Sequence, residues 1–247
     1  MKGNPIKDLA RKRSFLTLFA GFVIGVVFHR YFDMFVQEIW LDLPAVPMQP
    51  YPEEDWRQPN TLAVRTVAST PFARFEVHRV RAENGQIIDD WLWEDERSHV
   101  NIVVHTKENN KYLVMKQNKY GFRGPKLAVV GGLFSDKDTP EQCATRELLE
   151  ETGLQAGELV YLGEYRVQAN RGGGILHAYL ARDCVKSTHS AKPFEQDYEK
   201  QEVQFLSREE LQTRLLSHEF GEAQHAGVVA LALLQEQRDH SHDGMMQ

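Results

Sequence analysis

"GGLFSDKDTPEQCATRELLEETGL", residues 131–154, sets two glycines, a helix-capping pattern and three glutamates in one segment, and a strand-like run, KLAVV at 126–130, leads into it. Thr139 can accept a hydrogen bond at an N-cap, Pro140 presets φ at the first helical position, Gln142 completes a capping box, and Gly153 supplies a left-handed stop. The segment therefore predicts strand, glycine loop and a helix over 140–152. At about 100° of turn per residue, Glu147, Glu150 and Glu151 fall within about 100° of arc on one face of that helix. Leu148 and Leu149, with Thr145 and Thr152, are expected to pack toward a sheet. Crowded carboxylates raise one another's pKa and cost stability unless positive charge is supplied. A lone Glu-Glu pair would mean a solvated face. Acids that follow Gly131-Gly132, where missing side chains let backbone approach a ligand, suit a hard cation such as Mg²⁺ or Mn²⁺.

Outward from this segment the pattern is mixed. ARFEVHRV (73–80) and QIIDDWLW (86–93) flank Asn84-Gly85, which suits a tight hairpin. HVNIVVHT (99–106) and KYLVMKQ (111–117) flank a second turn. LVYLGEYRVQ (159–168) and ILHAYLARDC (175–184) read as strands around a mobile Arg171-Gly172-Gly173-Gly174 loop, with Arg171 a phosphate-contact candidate. EVQFL (202–206) leads to a helix capped by Ser207 and Glu210, and 221–237 reads as a third helix. These elements predict an α/β layered domain over 61–237, followed by a loose polar tail at 238–247.

The N-terminal part differs. Lys2, Lys7, Arg11, Lys12 and Arg13 precede FLTLFAGFVIGVVF at 15–28, an uncharged apolar run. At 1.5 Å per residue it covers roughly 21 Å, and extension past Arg30 toward Val36 brings it near a bilayer core of about 30 Å. Residues 1–40 are therefore expected to form a single-pass membrane anchor. The expected localisation is the membrane, with the domain on the side away from the basic N-terminus. Residues 41–60 hold Pro44, Pro47, Pro50, Pro52 and Pro59, half of the ten prolines, and read as an extended linker. A net charge of −6 gives no global pull toward nucleic acid, so no nucleic-acid partner is expected. Cys143 and Cys184 form neither a disulfide framework nor a zinc pattern. Cys143 stands one turn before Glu147, where a small residue leaving room for metal is favoured over a thiol ligand.

Gly132, Asp138, Arg146, Glu147, Glu150, Glu151 and Gly153 together resemble the Nudix box, Gx5Ex7REUxEExGU with U aliphatic, departing from it only where Asp138 stands for Glu. The resemblance implies a Nudix α/β/α sandwich with a mixed sheet and metal-dependent hydrolysis of a nucleoside diphosphate linked to another moiety. It implies metal ligands at Glu147, Glu150, Glu151 and the Gly131 carbonyl, with Arg146 orienting the glutamates. Gly132, Asp138 and Gly153 would be structural, Asp138 tying the loop to Arg146. Weaker similarity runs from about Val77 to Leu234, and DYEKQEVQFLSREEL (197–211) resembles the ADP-ribose pyrophosphatase branch. That branch implies ADP-ribose or a related ADP-sugar as substrate, Glu199 as general base or water-orienting acid with Asp197 in reserve, and a homodimer paired through the leading hairpin. Lys116, Lys119, Arg123 and Lys126 could meet phosphate, and Tyr120, Phe122 and Trp91 could stack on a base. The alternatives are a Nudix hydrolase acting on a dinucleotide, nucleotide sugar or CoA derivative, and a non-catalytic Nudix-fold binding module.

Overall fold

The computed structural model describes residues 58–135, 137–188 and 201–245. Its strands are β1 (Thr61–Ser69), β2 (Ala73–Arg81), β3 (Ile87–Glu96), β4 (His99–Thr106), β5 (Lys111–Gln117), β6 (Lys126–Ala128), β7 (Val130–Leu133), β8 (Leu154–Gln155), β9 (Glu158–Gln168), β10 (Gly172–Lys186) and β11 (Gln201–Leu206). The helices are α1 (Pro140–Thr152), α2 (Arg208–Leu216) and α3 (Ala223–Met245). They build a mixed sheet in the order β1-β2-β3-β10-β4-β5-β11, with β10 parallel to β3 and β4 and antiparallel to β9.

The sheet splits, and the glycine strand occupies the split. β4 and β5 pair with each other only from Val104 to Thr106 and from Lys111 to Leu113, next to their turn. Beyond that, β6 pairs with β5 and β7 with β4, so the chain crosses from one strand to the other at Val129. The single strand expected at 126–130 is therefore two short ones, and the second carries Gly131 and Gly132 into the opening.

Alternation along β4 assigns the two faces. Val100, Ile102 and Val104 pack with Cys143, Ala144 and Leu148 of α1, whereas Val103 packs with Val228, Val229 and Ala232 of α3. The mixed sheet thus has helices on both faces. Helix α1 begins and ends where its caps dictate. Thr139 accepts from the Gln142 N–H at 3.2 Å, Gln142 Oε1 accepts from the Thr139 N–H at 2.9 Å, and Gly153 adopts φ +69°. Its buried stripe is Cys143, Ala144 and Leu148, a correction to the expected Leu149 and Thr145, which lie half-buried and exposed. Burying one leucine contributes roughly 1.5–3 kcal/mol. Capping at about 1 kcal/mol per residue is therefore a comparable share of what holds this helix in place.

Three other expectations change. Gly172, Gly173 and Gly174 are buried at the start of β10 with φ of +98°, +73° and +73°. A Cβ on Gly172 would sit 1.9 Å from the Glu94 carbonyl oxygen. The glycine turn is a docking point for β3, not a mobile loop: Arg171 donates to the Leu92 carbonyl at 3.4 Å and Trp91 Nε1 donates to the Asn170 carbonyl at 2.9 Å. The stretch from 238 onward is helical up to Met245, because α3 continues with Asp239 paired to Arg182 and accepting from Gln235 at 2.9 Å. β1, absent from the sequence reading, adds to the outer edge of β2. Nearly all of its residues are exposed, so no apolar alternation marks it.

The expected single-pass membrane localisation is corrected as well. Among the described residues no helix is long and apolar enough to cross a membrane. The apolar run at 15–28 and the proline-rich linker up to residue 57 lie outside the described residues.

Candidate active site

The capped N-terminus of α1 and the crossing strand β7 fix where the acids lie. Glu147 rests on Gly132 so closely that a Cβ there would lie 2.1 Å from the Glu147 Cδ. Arg146 organises the neighbourhood: its Nη1 donates to Glu147 Oε1 at 2.6 Å and to Glu150 Oε2 at 3.2 Å. Its Nε and Nη2 donate to Asp138 Oδ2 at 3.1 and 2.8 Å, and Nη2 also donates to the Leu133 carbonyl at 3.1 Å. Asp138, although one methylene shorter than glutamate, spans the gap between the loop and Arg146 and accepts from the Ser135 N–H at 3.2 Å. Glu151 turns the other way and accepts from the Gly131 N–H at 3.3 Å.

Electrostatics set these groups apart. Burial raises the Glu147 carboxyl above its ordinary range despite the Arg146 guanidinium, and Glu150 and Asp138 add to the rise. Burial also acts to raise Asp138, but hydrogen bonds from Arg146 and Ser135 outweigh it and hold that carboxyl low. Cys143 is buried under the loop, 3.6 Å from the Leu133 carbonyl, with its thiol pushed up to about 12 by burial. A neutral thiol there packs as a small apolar group.

One guanidinium shared among Asp138, Glu147 and Glu150 leaves the cluster short of positive charge, and Glu151 adds a further carboxylate. This donor set, three glutamates beside the Gly131 backbone, fits a hard divalent cation. Among the described residues no three ligand side chains converge as they stand, since Glu147 and Glu150 face Arg146 and Glu151 faces Gly131.

Glu151, Gly131 and Gly132 open onto a cavity of about 380 Å³ in the split of the sheet. Its other walls are the ends of β3 and β5 and the start of α3. Lys119 lies 3.7 Å from Glu222, His99 Nε2 is 2.7 Å from Gln224 Oε1, and His225 lies 3.7 Å from Glu222. Of the expected substrate contacts, Lys116, Arg123, Tyr120 and Trp91 do not line this cavity. Lys116 is a β5 residue facing Glu202 and Leu127 in register, Tyr120 and Arg123 are exposed, and Trp91 holds the glycine turn. Lys119 does line it. Glu199 and Asp197 lie outside the described residues.

His99, Asn101, Gln117, Gln224 and His225 are wall residues that sequence reasoning missed. The split that gathers them is a property of long-range pairing. The one local sign was Asn101, a polar residue inside the apolar run of β4.

His225 has a pH consequence. Burial lowers its imidazole to about 4, only partly offset by Glu222, with Lys119 and His99 adding to the fall. Above pH 6.5 the ring is neutral in folded and unfolded chains and contributes nothing to pH dependence. Between 6.5 and about 4 the unfolded chain takes up a proton that the folded one refuses, so stability falls with pH, by about 3 kcal/mol in all. His225→Gln is expected to flatten that acid limb. Urea unfolding at pH 7 and pH 4.5 checks it, and equal slopes for the two proteins would refute the assignment.

A family profile described as NUDIX domain matches residues 95–231, more than half of the chain, and the chain belongs to the Nudix family. Two comparisons then give its surroundings. The Bacillus subtilis (strain 168) protein YtkD, provisionally named an 8-oxo-dGTP diphosphatase, is 30% identical over 107 residues, 43% of this chain. The match spans 63% of that curated relative's length. A crystal structure titled as an ADP compounds hydrolase superposes with a TM-score of 0.60 at 19% identity, over 76% of this chain and 98% of that one, and attests the fold.

Proposed function

We propose that this chain hydrolyses a nucleoside diphosphate linked to a second moiety, with Mg²⁺ or Mn²⁺, and that ADP-ribose or a related ADP-sugar is its substrate, yielding AMP and a sugar phosphate. The observation that carries this reading is Glu147 set against Gly132 and Glu151 against Gly131, where Gly131, Gly132 and Glu151 open onto the cavity, with Glu150 held beside Glu147 by Arg146. The names of the two comparison proteins, one for an oxidised nucleoside triphosphate and one for ADP compounds, add support for nucleotide anhydrides as the class.

Glu147, Glu150 and Glu151 with the Gly131 carbonyl are the groups that would hold the cation. When bound, such an ion neutralises phosphoryl oxygens and acidifies water. Arg146 acts on Glu147 and Glu150, not on substrate, and is a positioning residue: its hydrogen bonds fix the direction of both carboxylates and oppose the rise that burial imposes on Glu147. Lys119, at the cavity wall, brings positive charge to the phosphate chain. Glu150 or Glu199 would orient or deprotonate the water that attacks phosphorus, and the anhydride oxygen leaves with the departing phosphate.

The test incubates the full chain with ADP-ribose, other ADP-sugars, a dinucleotide, a CoA derivative and 8-oxo-dGTP. AMP and ribose 5-phosphate are expected from ADP-ribose in Mg²⁺, lost with EDTA and restored by added Mg²⁺. Preferred cleavage of another member would reassign the substrate. Cleavage of none would replace the enzyme reading with a binding module.

A further inference from the structure

Asn101 stands in the middle of β4, only 3% exposed, between Val100 and Ile102. It faces Gly131 across the β4–β7 ladder and lines the cavity. Its amide nitrogen is buried and donates to nothing. An unmade bond of this sort is costly in a closed strand, where a valine or leucine would fit without penalty. The position is also crowded by design of the neighbouring backbone: a Cβ on Gly131 would come within 2.6 Å of Asn101 Oδ1. The glycine that presents its N–H to Glu151 thus also makes room for the amide. A half-turn about the last side-chain bond exchanges nitrogen and oxygen, so the amide can turn its donor into the cavity without moving the strand.

The surroundings select the ligand. Glu96, Glu151 and Glu222 line the same cavity, and Lys119 is its one ammonium among the described lining residues. A diphosphate entering that acidic space needs hydrogen-bond donors that add no carboxylate and take no counter-ion. A neutral amide one ladder position from Gly131 is such a donor, beside the place where the anhydride would be cleaved. We propose that Asn101 is a substrate-binding residue whose amide nitrogen donates to a phosphoryl oxygen of the bound diphosphate, its buried donor being left without a partner in the free protein for that purpose. This rests on the hydrolase reading above.

The test compares the full-length protein with Asn101→Leu and Asn101→Ala. Leucine keeps the branching and heavy-atom count of asparagine and removes the orphaned donor, and its bulkier methyls have the adjoining cavity to grow into, so its melting temperature is expected to equal or exceed that of the unsubstituted chain, while kcat/KM falls about 10- to 100-fold for every diphosphate that chain cleaves. Alanine separates the amide from packing: the same fall in kcat/KM, with a lower melting temperature. Unchanged kcat/KM in both variants, with hydrolysis by the unsubstituted chain intact, would overturn the assignment and leave a buried water as the amide's partner. A fall confined to substrates sharing one base would overturn it in favour of base recognition. Should the unsubstituted chain hydrolyse nothing, the hydrolase reading fails by itself, and calorimetric titration of ADP-ribose with Mg²⁺ decides the other point. Weaker binding to Asn101→Leu would uphold the amide contact, whereas equal binding, or none to either protein, would overturn it.

Discussion

Glu151→Gln is expected to lower kcat by roughly 10³-fold or more and to leave the melting temperature unchanged or slightly raised. Cationic stabilisation of a phosphoryl transition state is worth several kcal/mol, and each 1.36 kcal/mol is tenfold in rate. Removing one carboxylate from the set that would hold the ion removes a large part of that term. The contact with Gly131 survives the change. Glutamine keeps an acceptor for the Gly131 N–H, which Glu151 Oε2 engages at 3.3 Å. It also removes one negative charge from a helix face shared with Glu147 and Glu150, where repulsion opposes folding. The rate and the thermal midpoint are therefore predicted to move in different directions. Turnover within a few-fold of the unsubstituted chain would remove Glu151 from the metal site. A collapse of the melting temperature would make its role structural.

What could be read from the sequence was local. Thr139, Pro140, Gln142 and Gly153 determine α1 by hydrogen bonds reaching no further than four residues, and its expected limits, 140–152, match the helix found. The β4–β5 hairpin was equally legible, because a β-branched run in β4 and an apolar run, Tyr112 to Met115, in β5 flank a turn-forming Glu108-Asn109-Asn110. Pairing over long range was not. Nothing in KLAVVGG says that it leaves β5 for β4 at Val129, yet that crossing opens the cavity and brings Gln224 and His225, almost a hundred residues away, opposite Gly131. This is why the sequence could group the acids on one helix face but could not say that Lys119 lines the cavity while Lys116, Arg123, Tyr120 and Trp91 do not. Lys116, Arg123 and Tyr120 are close to the glycines in sequence, but the strand direction and the sheet split turn them elsewhere. Asn101 carried its information in the open: an amide in a buried β-branched run has to be satisfied by something.

Gly131 and Gly132 are adjacent and look interchangeable, but alanine at each should fail differently. Neither glycine adopts a positive φ, so the decisive quantity is space. At Gly132 the added Cβ would meet Glu147 Cδ at 2.1 Å and its two oxygens at 2.2 and 2.3 Å. These atoms end a side chain, so Glu147 can swing aside, but only by breaking its 2.6 Å contact with Arg146. Gly132→Ala should therefore cost a modest 1–3 kcal/mol, about what overpacking costs elsewhere. Its effect on turnover should approach that of losing a ligand, roughly 10²- to 10³-fold. At Gly131 the Cβ would meet the Val100 carbonyl oxygen at 2.5 Å, which belongs to the backbone of the interior strand β4 and cannot swing away. Gly131→Ala should thus lose more stability than Gly132→Ala. Denaturant unfolding beside kcat/KM for both variants makes the comparison. If Gly132→Ala retained turnover, Glu147 would not need its place against that backbone, and the closeness of carboxylate and glycine would be packing alone.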